Sequence, residues 1–208
     1  MQKSIEIPMQ GHSLKAIWTV PKNARAVILF SHGSGSGRLS PRNQFVAEVL
    51  QKAHFATLLV DLLSEREDQD VRNRFNIDLL TERLVALAEW LKQQDATKDL
   101  DIGLFGASTG AAAALRCSVK EKNRIGAVVS RGGRPDLALP VLDQVTAPTL
   151  LIVGGEDTQV ISLNEIAYDR LNCQKKLEII EGATHLFEEP GTLEEVARLA
   201  RNWFESHL

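Results

Sequence analysis

The feature that most constrains this chain is an apolar run that leads directly into a Gly-x-Ser-x-Gly pentapeptide at residues 106–110. Residues 101–105 predict a short strand, and the small helix formers that begin at Ala111 predict a helix immediately afterwards. A serine at so sharp a strand-to-helix turn is held in a strained backbone, and the flanking glycines let the strand and helix approach closely. The pattern favours Ser108 as an exposed nucleophile, although a serine here would also suit a simple helix N-cap.

The composition is that of an ordinary globular chain, and it argues against several classes of function. The 208 residues fit one domain, 1–208, with 44% hydrophobic and 25% charged residues. A net charge of −3 gives no electrostatic basis for binding nucleic acid or an anionic membrane. The first residues lack the apolar core of a signal peptide, and no apolar run reaches membrane-spanning length, so we expect a cytoplasmic protein. The two cysteines show neither metal-binding nor redox spacing.

Strand and helix patterns alternate along the whole chain. Strands are predicted at 3–8, 12–20, 26–31, 56–60, 101–105, 126–130, 148–153 and 177–180, and helices at 41–52, 78–92, after the pentapeptide, and at 137–144, 161–171 and 192–204. The charged residues 64–77 are predicted to form a solvated excursion or a short helix. This alternation predicts a three-layer α/β/α sandwich with a mostly parallel sheet, whose antiparallel edge is the N-terminal hairpin.

Three side chains with complementary chemistry follow three of the predicted strands. Ser108 follows the strand at 101–105, Asp157 the strand at 148–153, and His185 the strand at 177–180. Ligands of parallel sheets bind at the carboxyl ends of strands, so we expect the three to meet at one edge. Imidazole would take the serine proton during attack, and a carboxylate would fix its tautomer. Glu156 is a close rival to Asp157.

A loop rich in glycine and serine, residues 32–37, follows the strand at 26–31. Its backbone amides are candidates for one half of an oxyanion hole, with Ser34 preferred and Gly35 next, and the amide of Thr109 supplies the other half. His32 is a poor candidate for the base, because a bulky group there would crowd the oxyanion. The loop lacks the lysine and Ser/Thr of a phosphate-binding P-loop.

Several residues near the predicted edge are candidates for substrate binding. Arg131 follows the strand at 126–130, and an arginine there would bind a substrate carboxylate as a bidentate pair. Arg38 and Phe187 are further candidates, and Arg42 and Arg134 raise the same question. An ion pair with Asp61, Asp136 or a nearby glutamate is an equally good interpretation of Arg131 and Arg134.

With these residues assembled, the chain resembles the α/β-hydrolase superfamily, and within it the dienelactone-hydrolase-like branch. The motifs that carry the resemblance are His32-Gly33-Ser34-Gly35-Ser36-Gly37, Leu59-Val60-Asp61-Leu62-Leu63, Gly106-Ala107-Ser108-Thr109-Gly110, Gly155-Glu156-Asp157 and Ala183-Thr184-His185-Leu186-Phe187. The resemblance implies hydrolysis of small carboxylic esters by a triad of Ser108, Asp157 and His185, with no cofactor or metal, and thioesters and lactones are alternative substrates that the sequence leaves open. True dienelactone hydrolases use a cysteine nucleophile, so lactone specificity does not carry over. No long insertion follows the strand at 126–130, which predicts an open pocket without a large lid.

Two other classes of function remain open at this stage. A non-catalytic binding or regulatory protein on the same scaffold would show the same motifs without activity. A dinucleotide-dependent reductase is suggested by Gly103, Gly106 and Gly110, but their spacing is not Gly-x-Gly-x-x-Gly, and Tyr168 is followed four positions on by Asn172 rather than lysine. The expected partner is a small-molecule ester, and the expected state is a monomer or a homodimer.

Overall fold

The computed structural model describes residues 2–9 and 11–208. Its strands are β1 (Gln2–Met9), β2 (His12–Thr19), β3 (Ala26–Ser31), β4 (Phe55–Val60), β5 (Asp101–Ala107), β6 (Ile125–Arg131), β7 (Thr149–Gly154) and β8 (Lys175–Ile180). Its α-helices are α1 (Pro41–Lys52), α2 (Glu65–Asp68), α3 (Ile77–Gln93), α4 (Thr109–Lys120), α5 (Thr158–Arg170) and α6 (Thr192–His207). The segments Val71–Phe75 and Pro135–Gln144 are 3₁₀-helices.

The strands form one twisted sheet in the order β1-β2-β4-β3-β5-β6-β7-β8. The β1–β2 and β2–β4 pairs are antiparallel, and every later neighbour is parallel. The predicted sandwich with an N-terminal edge hairpin is therefore confirmed. Because β3, β5, β6, β7 and β8 all run in the same direction, their carboxyl ends share one edge of the sheet.

Apolar side chains fill both faces of the sheet. All six residues of β3, β4 and β7 are buried, as expected of central parallel strands covered on both sides. Helices α1 and α6 pack together over one face, and α3, α4 and α5 cover the other. The last helix, α6, is amphipathic: Val196, Ala200 and Phe204 are buried against the sheet, and the charged residues of the helix face away from it.

The segments around the edge differ in detail from the sequence-based expectations. The charged stretch at 64–77 contains the single turn of α2 and then the 3₁₀-helix Val71–Phe75. A capping box stabilises the start of α2, because the side chains of Ser64 and Glu67 each accept a hydrogen bond from the backbone N–H of the other. The predicted helix at 137–144 is 3₁₀ and begins at Pro135, and Pro140 lies inside it. The link between β6 and β7 carries no larger insertion. No helix in the described residues has the length and apolar character needed to span a bilayer.

Candidate active site

Ser108 occupies the sharp turn between β5 and α4. Its backbone has φ 49° and ψ −125°, a conformation that L-residues adopt only under constraint. The two glycines of the pentapeptide make the turn possible. A Cβ at Gly106 would lie 2.5 Å from the Cα of Ala111, and a Cβ at Gly110 would lie 2.2 Å from the carbonyl oxygen of Ser31. Strand β5, helix α4 and the end of β3 therefore approach one another more closely than any side chain allows.

Backbone hydrogen bonds hold Ser108 in this strained state. Its N–H donates to the carbonyl of Arg131 (3.2 Å), and its own carbonyl accepts from the N–H groups of Ala111 (3.1 Å) and Arg134 (3.0 Å). Its hydroxyl makes no hydrogen bond to any described residue. Ser108 instead lines a cavity of about 270 Å³, together with His185. The backbone is thus fixed while the hydroxyl faces open space.

His185 and Asp157 form a hydrogen-bonded pair at the same edge. His185 Nδ1 lies 2.6 Å from Asp157 Oδ2, so the carboxylate sets the ring orientation. Asp157 follows β7 and is largely shielded, whereas Glu156 is exposed. The structure therefore brings Asp157 rather than Glu156 to the imidazole. Ser108 and His185 share the cavity without a direct hydrogen bond, and such bonds commonly tighten only when substrate is present.

The loop that carries His185 is clasped by a residue that the sequence analysis did not identify. The Glu189 carboxylate accepts from the hydroxyl (2.6 Å) and the N–H (3.1 Å) of Thr184. These hydrogen bonds, that of the hydroxyl first, lower the pKa of Glu189. The clasp closes the loop from Thr184 to Glu189 around the histidine. A Thr and a Glu five residues apart match no helix-capping spacing, so the sequence offered no signal for this contact.

The glycine-rich loop places Ser34 in the lining of the cavity, but the N–H of Ser34 already has an acceptor. Gly33 lies so close to the nucleophile that a Cβ there would be 2.9 Å from Ser108 Cβ. The N–H of Ser34 donates to the hydroxyl of Thr109, at 3.1 Å. Thr109 is the first residue of α4, where the backbone N–H has no partner within the helix. The oxyanion candidates therefore meet, but the Thr109 hydroxyl lies between them.

His32 ties this loop to the end of β4. Its Nδ1 contacts the carbonyl of Gly33 (2.9 Å), and its Nε2 accepts from the N–H of Leu62 (3.0 Å). Both ring nitrogens are occupied, which leaves neither free to act as a base. Desolvation of the ring lowers the pKa of His32, in keeping with the neutral form that these two contacts require.

The arginines near the cavity divide into paired and unpaired groups. Three have carboxylate partners: Arg38 with Asp61, Arg42 with Glu188 at 3.0 Å, and Arg134 with Asp136 at 2.8 Å. Arg131 has no carboxylate partner among the residues that the structure describes, although it is only 8% exposed and lines the cavity. Its Nε and Nη1 are buried without a hydrogen-bond partner.

The three residues predicted to bind substrate, Arg38, Arg131 and Phe187, lie in different surroundings. Arg38 lies in a neighbouring cavity with its charge compensated by Asp61. Phe187 is buried in the core, and its ring centroid lies 5.9 Å from the Arg131 guanidinium carbon. Phe187 thus backs the guanidinium instead of presenting an open surface. Desolvation, with a smaller contribution from the charge of Arg42, lowers the pKa of Arg131 to about 10, so the guanidinium stays charged at neutral pH.

Comparison with known proteins agrees with this architecture. Residues 24–200 match the model of a family described as an alpha/beta hydrolase domain. The chain therefore belongs to the α/β-hydrolase family. Two putative phosphoribosyl transferases of Mycobacterium tuberculosis are 52% identical over 202 residues, which is 97% of this chain and 44% of each relative. The chain thus spans less than half the length of these relatives, and their name does not describe the matched part by itself.

Solved structures show the same fold over the full length. The dienelactone hydrolase from Anabaena variabilis is 50% identical, with a TM-score of 0.97, and the match covers 100% of this chain and 98% of that one. Est1E from Butyrivibrio proteoclasticus has a TM-score of 0.84 at 18% identity, with 98% of both chains covered. The second likeness concerns the fold alone.

Proposed function

We propose that this protein is a serine hydrolase of small carboxylic esters that works through an acyl-enzyme intermediate. One observation carries the proposal: the strained Ser108 lines the same cavity as His185, whose ring is hydrogen-bonded to Asp157 at the carboxyl edge of the sheet. The name of the similar Anabaena protein, dienelactone hydrolase, supports hydrolysis of an ester bond.

Attack begins at the Ser108 hydroxyl. Its oxygen bonds to the substrate carbonyl carbon while its proton passes to Nε2 of His185, which becomes an imidazolium. Asp157 stabilises that cation through the 2.6 Å contact to Nδ1. The negative charge that develops on the carbonyl oxygen accepts a hydrogen bond from the N–H of Thr109. The N–H of Ser34 joins it when the oxyanion replaces the Thr109 hydroxyl as its acceptor.

The tetrahedral intermediate collapses when His185 returns its proton to the leaving group. The alcohol departs and the acyl group remains on Ser108. A water molecule then loses a proton to His185 and attacks the acyl carbon, and His185 protonates Ser108 as the acid is released. Thioesters and lactones fit the same steps: a thioester releases a thiol in place of the alcohol, and a lactone opens to a hydroxyacyl-enzyme whose leaving hydroxyl stays attached to the acyl group.

The size of the cavity limits the substrate. A volume of about 270 Å³ is at the small end for ligand sites, and only the short link between β6 and β7 lies where a lid would insert. Short acyl groups fit this space, whereas long lipid chains would extend into solvent. We therefore expect acetyl to butyryl esters to be better substrates than octanoyl or longer esters.

Labelling with a fluorophosphonate probe tests the nucleophile directly. The wild-type protein is expected to gain one adduct, located on Ser108 by mass spectrometry, and Ser108→Ala is expected to gain none. Ser206→Ala removes an exposed serine on α6 far from the cavity, and should label like the wild type. In parallel, Ser108→Ala should lose at least 10³-fold in kcat on p-nitrophenyl acetate. Full activity in folded Ser108→Ala protein would refute the proposal.

A further inference from the structure

An uncompensated cation lies inside the candidate active site. Arg131 ends strand β6, is 8% exposed, and lines the cavity that also contains Ser108 and His185. Within the described part of the chain its side chain makes neither an ion pair nor a hydrogen bond. Burial of a charged group without a partner is unfavourable, and native proteins rarely retain one without a use for it.

The carboxylates that would ordinarily pair with Arg131 are engaged elsewhere. Asp61 is bound to Arg38, and Asp136 to Arg134. Glu188 is bound to Arg42, whose positive charge also acts on Arg131. Among residues 2–9 and 11–208, the only aromatic contact of the guanidinium is with Phe187, at 5.9 Å, near the limit for a cation–π interaction. The protein therefore leaves one positive charge unmatched beside the nucleophile.

We propose that Arg131 binds a carboxylate carried by the substrate, so that the preferred esters are anionic. The proposal rests on the serine-hydrolase function and names its substrate class. Nε and Nη1 of Arg131 are enclosed by the protein, so the third guanidinium nitrogen, Nη2, is the donor that reaches the cavity and would make a charge-assisted hydrogen bond to a carboxylate. One unmatched charge calls for one negative charge, since Arg42 at the rim is already paired.

The dimensions of the cavity restrict where that carboxylate is placed. Both Arg131 and Ser108 line the same space of about 270 Å³, so the carboxylate and the scissile carbonyl must belong to one short molecule. Half-esters of short dicarboxylic acids satisfy this requirement. When the substrate binds, its carboxylate takes the place of the missing ion-pair partner, and the guanidinium orients the carbonyl toward Ser108.

The first test measures binding without turnover. Monomethyl glutarate is titrated calorimetrically into Ser108→Ala protein and into Ser108→Ala/Arg131→Gln protein. A charge-assisted hydrogen bond to a buried guanidinium predicts an affinity about 10- to 100-fold higher for the first protein. Dimethyl glutarate, the uncharged analogue, should not distinguish the two. Arg134→Gln in the Ser108→Ala background is the matched control, because its guanidinium is paired with Asp136, and it should bind like Ser108→Ala alone.

The second test measures preference during turnover. The ratio of kcat/KM for mono-p-nitrophenyl glutarate to that for its methyl-capped diester is expected to be about 10 to 100 in the wild type. The ratio should fall to one or below in Arg131→Gln. Arg131→Lys keeps the charge without the planar guanidinium and should give an intermediate ratio. This variant also provides the test if the glutamine variant folds poorly.

The outcomes separate the two proposals. Equal affinity for monomethyl glutarate with and without Arg131, or an unchanged ratio, would overturn the carboxylate site even if Ser108 is labelled and active. Tighter binding of monomethyl glutarate with Arg131 than without it, in a protein that shows no hydrolysis, would support the anion site and refute the serine-hydrolase function. Binding of inorganic phosphate in preference to monomethyl glutarate would also overturn the proposal, because the site would then select a dianion over a monoanionic carboxylate.

Discussion

Gly110→Ala tests whether the close packing of α4 against the end of β3, behind the turn at Ser108, controls the proposed catalysis. The added Cβ would lie 2.2 Å from the carbonyl oxygen of Ser31 and 2.5 Å from that of His32. An ordinary carbon–oxygen contact is about 3.3 Å, so helix α4 and the end of β3 must separate by about 1 Å. Both obstructing atoms are backbone, which prevents relief by rotation of a side chain. The chain that must move leads directly into Gly33 and Ser34.

The separation should reduce both activity and stability. A displacement of about 1 Å between Ser108 and the glycine-rich loop at 32–37 predicts a loss of about 10²-fold in kcat on p-nitrophenyl acetate, with less effect on KM. Overpacking costs about 1–3 kcal/mol, and alanine in a helix returns up to about 1 kcal/mol of this. At roughly 2–4 °C per kcal/mol for a chain of this size, the thermal midpoint should fall by several degrees.

Ala114→Gly is the matched control for Gly110→Ala. It lies in the same helix and lowers helix propensity by about 1 kcal/mol, but it adds no atom against β3. It should therefore lose stability and keep kcat within about threefold. The packing argument would be refuted if folded Gly110→Ala protein kept a kcat within threefold of the wild type, or if Ala114→Gly lost as much activity.

Two further predictions concern the carboxylate beside His185 and the buried His32. Asp157→Asn should lower kcat by about 10³-fold or more by favouring the wrong imidazole tautomer, whereas Glu156→Gln should stay within threefold; the reverse ranking in esterase assays would assign the carboxylate to Glu156. Because the pKa of His32 is lowered in the folded state, the unfolded chain binds its proton more readily. Its contribution to the free energy of unfolding is therefore complete above pH 6.5 and lost as the pH falls, by up to about 2 kcal/mol at pH 5. Urea titrations at pH 7.5 and 5 should show a smaller pH dependence in His32→Asn than in the wild type or in His54→Asn, which replaces an exposed histidine; an unchanged pH dependence in His32→Asn would contradict the assignment.

The sheet was predictable because its strands carry strong local signals. The apolar runs at 26–30 and 150–153 predicted buried strands, which the structure places at the centre of the sheet, and the glycines around Ser108 predicted a tight turn. Boundaries were less certain where the signal was weak. The helix expected from Ile161 begins at Thr158. The sequence did not predict this start because the first two residues, Thr158 and Gln159, are polar and lack the apolar spacing of the rest of the helix.

Contacts between distant segments could not be read from the chain alone. Arg131 and Arg134 follow the same strand and looked equivalent in sequence, yet one is buried without a partner and the other is paired with Asp136. The difference depends on which carboxylates the fold brings near, and local pattern does not contain that information. The same is true of the Ser34–Thr109 hydrogen bond, which joins residues 75 positions apart.

The positive φ of Ser108 has a consequence for how such a chain changes over evolutionary time. A left-handed backbone at a residue with a side chain costs on the order of 1–3 kcal/mol, whether or not substrate is present. Glycine at position 108 would relieve that strain, so selection for stability alone would replace the serine. If the proposed reaction is correct, a serine at this strained position is kept only while that reaction is useful to the organism. A lineage that no longer needed the chemistry would lose this residue first and the surrounding sheet last.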